Sequence, residues 1–330
     1  MRILVTGATG AVGPQIVNAL MEAGYAVRTL SLDPPPTDAW HDGVDVRFGD
    51  VTDSATVQRA IQSVDAVVHL AALLHIVNPP PELCNKYEKI NVGGTATVVD
   101  SAIKAGVKRV VLASTISVYG PSGYRVLDEG SEAFPDTIYG QTKLDAEKIV
   151  LNAGHEDGQP LGTVLRFGAV YGARIKGNYR RLVQALAHGR FMALGNGSNR
   201  RALIYDKDLA YAVVLAVSHP AAAGQVFNLT DGRFHTMREI IAAMSLALGR
   251  TPPRYSLPVK PVRWAAGLLE ETARLMGCQL HIVRATIDKY TEDIAVSGDK
   301  IRHLLGFSPQ YDLASGWRET VEDIRKTGDL

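Results

Sequence analysis

The sequence predicts a doubly wound parallel α/β sheet followed by a smaller, mostly helical region. Three observations carry this. Short apolar runs alternate with helical patterns through the first half of the chain. Those runs are continuous in Val, Ile, Leu and Ala rather than alternating with polar residues, as parallel strands buried on both faces require. Beyond about residue 170 the runs thin out while helical patterns continue.

The strand-like runs are Ile3–Val5, Ala26–Leu30, Val44–Phe48, Ala66–Leu70, Val107–Ala113 and Gly162–Phe167. Helical patterns over Pro14–Ala23, Ser54–Gln62, Tyr87–Ala105 and Tyr139–Asn152 lie among them. Strand-helix-strand alternation of this kind closes into right-handed crossovers over one sheet. Pro34-Pro35-Pro36 and Pro79-Pro80-Pro81 mark loops after strand carboxyl ends, the edge where such sheets bind ligands. Later helices are expected over Asn178–His188, Asp206–Val217, Met237–Leu248, Val262–Met276, Ile282–Tyr290 and Arg318–Arg325, with one more strand at Gln225–Leu229.

At 330 residues the chain is longer than most single cores, so one large α/β unit with an appended region is the natural expectation. Thirty-five cations against 34 anions, with the signs mixed along the chain, argue against a nucleic-acid partner. Cys84 and Cys278 are too few for a disulfide framework. The first apolar run ends in glycines rather than in a signal-peptide pattern, and no run approaches the ~20 residues that span a bilayer. These features predict a cytoplasmic protein with no membrane partner. No His/Cys/carboxylate cluster has metal-ligand spacing, so no metal is expected.

Gly7-Ala8-Thr9-Gly10-Ala11-Val12-Gly13 follows the first strand and opens the first helix, with Pro14 in its first turn, where its missing N–H costs nothing. Glycines here let backbone approach a phosphate, and the helix N-terminus offers amides and a positive dipole end to a pyrophosphate. On this reading residues 1–170 bind a dinucleotide, 203–229 return to that domain, and 171–330 mainly carry substrate. The end of the second strand, Ser31-Leu32-Asp33, leaves NAD and NADP both open, and Asp33 favours NAD. Arg28, within that strand, is expected to be a solvated side chain rather than a 2′-phosphate ligand. Asp50 ends the third strand and suits the adenine amine; its other reading is a helix N-cap shared with Asp53.

Tyr139 and Lys143 stand one helical turn apart, on one face. A neighbouring cation favours the phenolate, so this tyrosine can exchange a proton with a substrate hydroxyl. Thr115, or alternatively Ser114, can hold the same oxygen from a strand end. Asn91, before Gly93-Gly94, either breaks its helix for close packing or holds the geometry of the site. His69 is expected to be a satisfied core histidine.

Together with Asp50-Val51, His69-Leu70-Ala71-Ala72, Asn91-Val-Gly-Gly-Thr95, Ser114-Thr-Ile-Ser-Val-Tyr-Gly120 and Arg166-Phe-Gly-Ala-Val-Tyr-Gly172, these motifs resemble the extended short-chain dehydrogenase/reductase superfamily over nearly the whole chain. The resemblance implies a Rossmann-type fold. It places Thr115, Tyr139 and Lys143 in catalysis. Around the cofactor it places the loop from Gly7 to Gly13, Ser31, Asp33, Asp50, Val51, Leu70, Ala71, Ala72, Asn91, Ala113 and Phe167. Non-catalytic dinucleotide sensors would be expected to lose the tyrosine or lysine, and both are present here.

Gly195-Asn-Gly-Ser-Asn-Arg-Arg201, followed by Ile204-Tyr-Asp-Lys-Asp208, is similar to the segment that places a diphosphate-binding arginine in nucleotide-sugar epimerases. That implies Arg201 as a bidentate clamp, with Asn178 as a second substrate contact; the other reading of Arg201 is a surface side chain in a turn. Two departures stand against it. Ala169 replaces the usual asparagine, and Lys289 is the only cation in Ile287–Tyr290, where a second arginine is common. Leu257-Pro258 and the apolar helix from Val262 instead resemble 3β-hydroxysteroid dehydrogenase-like members, which act on apolar alcohols. The family also implies a homodimer through the helices around Thr95–Ala105 and Tyr139–Asn152, for which Ala96, Val99, Ala102 and Ile103 would supply an apolar stripe; the same stripe suits packing on the sheet.

Overall fold

Seven parallel strands form the main sheet: β1 (Arg2–Thr6), β2 (Ala26–Ser31), β3 (Asp45–Phe48), β4 (Ala66–His69), β5 (Arg109–Thr115), β6 (Gly162–Phe167) and β7 (Val226–Leu229). Their order is β3-β2-β1-β4-β5-β6-β7, a Rossmann-type arrangement that reverses direction between β1 and β4. The computed structural model describes all residues except 38, 77–78, 175–176, 276–282 and 329. Cys278 and the predicted helix ends at Met276 and Ile282 lie outside the described residues.

The continuous apolar runs have the expected cause. Ile3 and Val5 of β1 pack into the layer of α1 (Gly13–Glu22), while Leu4 between them packs under α2 (Ser54–Ile61) and α3 (Gly94–Lys104). With helices on both faces, neither strand face can be polar. Register brings the carboxyl ends level: Thr6 lies beside Leu30 and His69, and Thr115 beside Phe167.

The expected helix over Tyr87–Ala105 is unbroken but not α-helical throughout. Glu88–Gly93 is wound as a wider π-helical stretch before α3 begins at Gly94. Helices of this kind cluster at functional sites, and here the wide turn directs Asn91 inward. A β-carbon at Gly94 would come within 2.9 Å of Val51. Close packing and site geometry therefore both apply.

With α4 (Ile138–Leu151) beside the sheet, the later helices are α5 (Asn178–Ala187), α6 (Asp206–Ser218), α7 (Met237–Ala247), α8 (Val259–Leu275), α9 (Val283–Thr291), α10 (Asp299–Leu305) and α11 (Leu313–Lys326). Helix α6 packs beside α1 in one apolar layer. A separate cluster around Tyr171, Ile240, Met244 and Trp317 holds the C-terminal elements, with the Tyr171 and Trp317 rings stacked at 4.5 Å.

Two helix starts and one helix depart from expectation. Helix α8 starts before Pro261, because proline fits a first turn. Helix α11 starts at Leu313 rather than Arg318, from an Asp312/Ser315 capping box. Its first turns carry Ala314, Ser315 and Gly316 instead of large apolar residues, since a β-carbon at Gly316 would strike the Tyr171 hydroxyl. Helix α10 was not expected from the sequence. In the proposed dimer stripe, Val99 and Ala102 are buried in the core under the sheet, while Ile103 is exposed.

Candidate active site

The carboxyl edge of the sheet is built closely around the glycine loop. Gly7 has φ +68°, and a β-carbon there would lie 2.7 Å from the Ala71 backbone. A β-carbon at Gly13 would lie 2.0 Å from the Ala8 carbonyl oxygen. Both glycines are thus required for the loop to pass between β4's loop and the start of α1. Val12 caps α1 with no side-chain hydrogen bond, and no acidic residue sits in its first turn. The amides of this helix start are offered to an anion instead of to the protein's own side chains.

The other expected cofactor residues flank this loop. Leu70, Ala71 and Ala72 continue from β4, Ala113 lies in β5, and Phe167 ends β6, all half-buried. Ser31 ends β2, buried, with its Oγ accepting a 3.3 Å bond from the Thr9 amide. Asp33 stands exposed in the bend beyond it. Asp50 is exposed and accepts from the Thr52 amide at 2.8 Å, whereas the N-cap of α2 is Asp53 alone.

Arg28 corrects the expectation of a solvated side chain. It is buried, pairs with Asp45 at 2.7 Å, and donates to the Ala60 and Gln62 carbonyls at 2.8 Å. A 2.7 Å ion pair and two carbonyls leave this arginine committed to holding β2 to β3 and to the end of α2, away from any 2′-phosphate. Val51 is buried beneath Gly94.

Asn91 is fully buried. Its Oδ1 accepts from the Leu73 amide at 2.7 Å, and its Nδ2 donates to the Leu73 carbonyl at 3.2 Å and to Thr142 Oγ1 at 3.1 Å. One side chain thus ties the loop after β4 to α4. His69 is a satisfied core histidine, between Thr6 Oγ1 at 2.7 Å and Thr95 Oγ1 at 3.1 Å. Burial, and secondarily the Lys143 charge, push its pKa down to about 3.

Tyr139 sits in the first turn of α4, whose start is fixed by the Thr137 hydroxyl accepting from the Gly140 amide at 3.1 Å. Burial pushes its phenol up to about 12, opposed by a hydrogen bond with Thr115. Ser114 points elsewhere, since neighbouring strand residues face opposite sides. It is hydrogen-bonded to buried Glu147. Thr115 faces the other side of β5, where its Oγ1 accepts from the Ser117 amide at 3.1 Å.

Lys143 is buried, and desolvation lowers its pKa to about 8 against the pull of Glu147. Glu147 is in turn held by Arg166 at 2.7 Å, and Arg166 lies 4.8 Å over the Tyr119 ring. Sequence reading missed Glu147, although Tyr139, Lys143 and Glu147 are spaced four apart along one helix face. It also missed His75, whose ring meets that of Tyr139 edge-on at 5.9 Å. His75 Nε2 accepts from Lys289 Nζ at 3.1 Å, so α9 reaches over the site. Burial and then the Lys289 charge lower the His75 pKa.

Arg201 is not a surface arginine in a turn. It is buried in a short strand pairing with His235, and its guanidinium donates to the Lys289 and Tyr290 carbonyls at the end of α9. Asn178 stands exposed in the first turn of α5. No cluster of metal-ligating side chains occurs among the described residues.

The fold and the loop define a dinucleotide-binding protein with the sheet's carboxyl edge as its site. The NAD dependent epimerase/dehydratase family model matches residues 3–230, and the chain belongs to that family. It is an NAD-dependent enzyme of the extended short-chain dehydrogenase/reductase type. The chain is 28% identical to a UDP-glucose 4-epimerase of Vibrio cholerae, over 97% of this chain and 94% of that one. It is 29% identical to a 3β-hydroxysteroid dehydrogenase/Δ5→4-isomerase of Mycobacterium tuberculosis, over 80% and 74%. MoeE5, solved in complex with UDP-glucose and NAD, superposes with a TM-score of 0.77 at 26% identity, covering 99% of both chains.

Proposed function

We propose that the chain acts on a nucleotide sugar, as an epimerase or reductase, with Tyr139, Lys143 and Thr115 as its catalytic group. The observation that carries the chemistry is Tyr139 in the first turn of α4 with buried Lys143 one turn along the same helix, and that turn packed at Gly140 against Ser117, two residues past Thr115. Bound NAD supplies the site for hydride acceptance and return. Residues 1–170, with 203–229, hold it; 171–330 mainly carry substrate.

Tyr139 Oη takes the proton from the substrate hydroxyl and returns it in the reverse step. Lys143 stabilises the phenolate by its charge, and Glu147 keeps that lysine protonated. Thr115 Oγ1 orients the same substrate oxygen. Asn91 fixes the Leu73 backbone and so the mouth of the site. With Arg28 committed, Asp33 at the end of β2 supports NAD over NADP.

The match to the Vibrio cholerae enzyme over nearly the full length of both chains supports a nucleotide sugar, with Arg201 toward the diphosphate and Asn178 toward the nucleotide sugar. The second reading, an apolar secondary alcohol, is favoured by the hydrogen bonds that tie Arg201 to the end of α9. A homodimer through α3 and α4 belongs to the same proposal, with Ile103 and Ala96 the stripe residues left for it.

Thermal-shift titration of UDP into the NAD-saturated protein, with a steroid alcohol in parallel, tests the substrate class. A ligand at 100 times its dissociation constant adds roughly 2.7 kcal/mol. A rise in midpoint with UDP is expected. A rise with the steroid alone would move the assignment to the apolar alcohol.

A further inference from the structure

Helix α8 has its amphipathic pattern reversed. Water-soluble helices bury large apolar residues and expose small or polar ones. Here Ala266, Gly267 and Ala273 are buried, while Trp264, Leu268 and Leu269 are exposed. The inward side is small because α9 lies close: a β-carbon at Gly267 would be 3.3 Å from Arg284. Two ion pairs, Arg263–Asp288 at 2.7 Å and Arg284–Glu270, fix α8 to α9 in this orientation.

Pro261, Trp264, Ala265 and Leu268 lie on one exposed stripe at helical spacing. Trp264 is 70% exposed. The segment leading into the helix adds Leu257 and Tyr255, the latter 83% exposed. Pairing of Ser256 with Ala193 brings exposed Met192 to the same segment. Contiguous apolar surface of this kind on a water-soluble protein marks a contact with something else.

Charge indicates what that is. From Ile240 through Leu269 the chain carries Arg250, Arg254, Lys260 and the Asp288-paired Arg263 and no carboxylate, and Glu271 ends the exposed stripe. Arg250, Arg254 and Lys260 are exposed. An apolar helix face with aromatic residues and a cationic border is the composition of helices that lie in the headgroup layer of anionic bilayers. No helix among the described residues is long and apolar enough to cross a membrane, so such a contact is peripheral.

We propose that the outer face of α8, with the preceding turn, docks on the surface of an anionic lipid bilayer. The docked face belongs to the same helical pair that reaches Tyr139. Helix α9, packed on α8, carries Lys289 to His75 at the edge of the Tyr139 ring. Docking therefore places the helical pair that reaches the site against the lipid surface.

The chain carries its own reporter. Of its three tryptophans, Trp317 is buried, Trp40 half-buried and Trp264 exposed. The purified full chain is mixed with vesicles of phosphatidylcholine alone or with phosphatidylglycerol, and co-sedimentation and tryptophan emission are followed. Wild type is expected to sediment with the anionic vesicles, with an emission blue shift that W264F lacks. The variant W264S/L268S/L269S, which changes only exposed positions, is expected to lose at least tenfold in vesicle affinity at unchanged melting temperature, and R254E/K260E to weaken binding several-fold. Failure of wild type to sediment, or equal sedimentation of the triple variant, would overturn the proposal. So would a solution mass that the triple variant halves without any vesicle binding, which would make a second copy the occupant. The readout is lipid binding, so it is independent of the substrate assignment.

Discussion

Replacing Lys143 with Met keeps the side-chain volume and removes the charge. With its phenol pushed up to about 12, Tyr139 in the protein alone is five pKa units above pH 7, so roughly one molecule in 10⁵ carries the phenolate. At 1.36 kcal/mol per unit, that is about 7 kcal/mol against the base form. An opposite charge nearby lowers such a pKa by about 1–3 units. Lys143, at about 8, is protonated at pH 7 and lies one helical turn from Tyr139, and its charge is expected to act on the phenolate once bound substrate and NAD exclude water. Lys143→Met should therefore lower kcat about 10- to 1000-fold at pH 7 and move the alkaline rise of the pH profile upward. The assay is steady-state turnover from pH 6 to 10, with NAD affinity measured separately. Unchanged kcat with weakened NAD binding alone would refute the electrostatic argument and leave Lys143 as a cofactor contact.

Other perturbations follow from the same packing. Glu147→Gln strands Arg166 without its buried partner and should cost about 3–5 kcal/mol in denaturant unfolding; a loss under 1 kcal/mol would show the pair to be dispensable. Gly13→Ala forces a β-carbon against the Ala8 carbonyl, so NAD affinity measured by calorimetry should fall at least tenfold. His69 has its folded pKa lowered to about 3 from an ordinary 6.5, so the unfolded chain takes up the proton first as pH falls. Its contribution to stability is complete above pH 6.5 and declines toward pH 3, and His69→Gln should flatten the fall in melting temperature between pH 6.5 and 4.5.

The sheet was legible because its strands are buried on both faces, which leaves unbroken runs such as Val107–Ala113 in the sequence. The glycine loop was legible because its glycines stand together between a strand and a helix; the constraint at Gly13 is local, against Ala8, whereas that at Gly7 comes from Ala71, far along the chain. Arg28 was misread because its partners, Asp45, Ala60 and Gln62, come from two later elements. A cation in an apolar strand looks solvated until those partners are placed. Glu147 lay in plain register with Tyr139 and Lys143, yet its importance comes from Arg166, on a strand that follows. His75 and Lys289 are 214 positions apart, and no local pattern joins them. The π-helical turn at Glu88–Gly93 left a trace, the unfavourable Asn91 and glycine pair, without showing that the helix widens rather than ends.

The most direct measurement is turnover and NAD affinity of Tyr139→Phe side by side, with a UDP-sugar and a secondary alcohol as substrates. The variant keeps the ring against His75 and removes only the hydroxyl that moves the proton. Turnover lost by at least a thousandfold with NAD affinity nearly intact is the predicted result. Near-normal turnover on either substrate would contradict the account, because the proton would then be moved by another group.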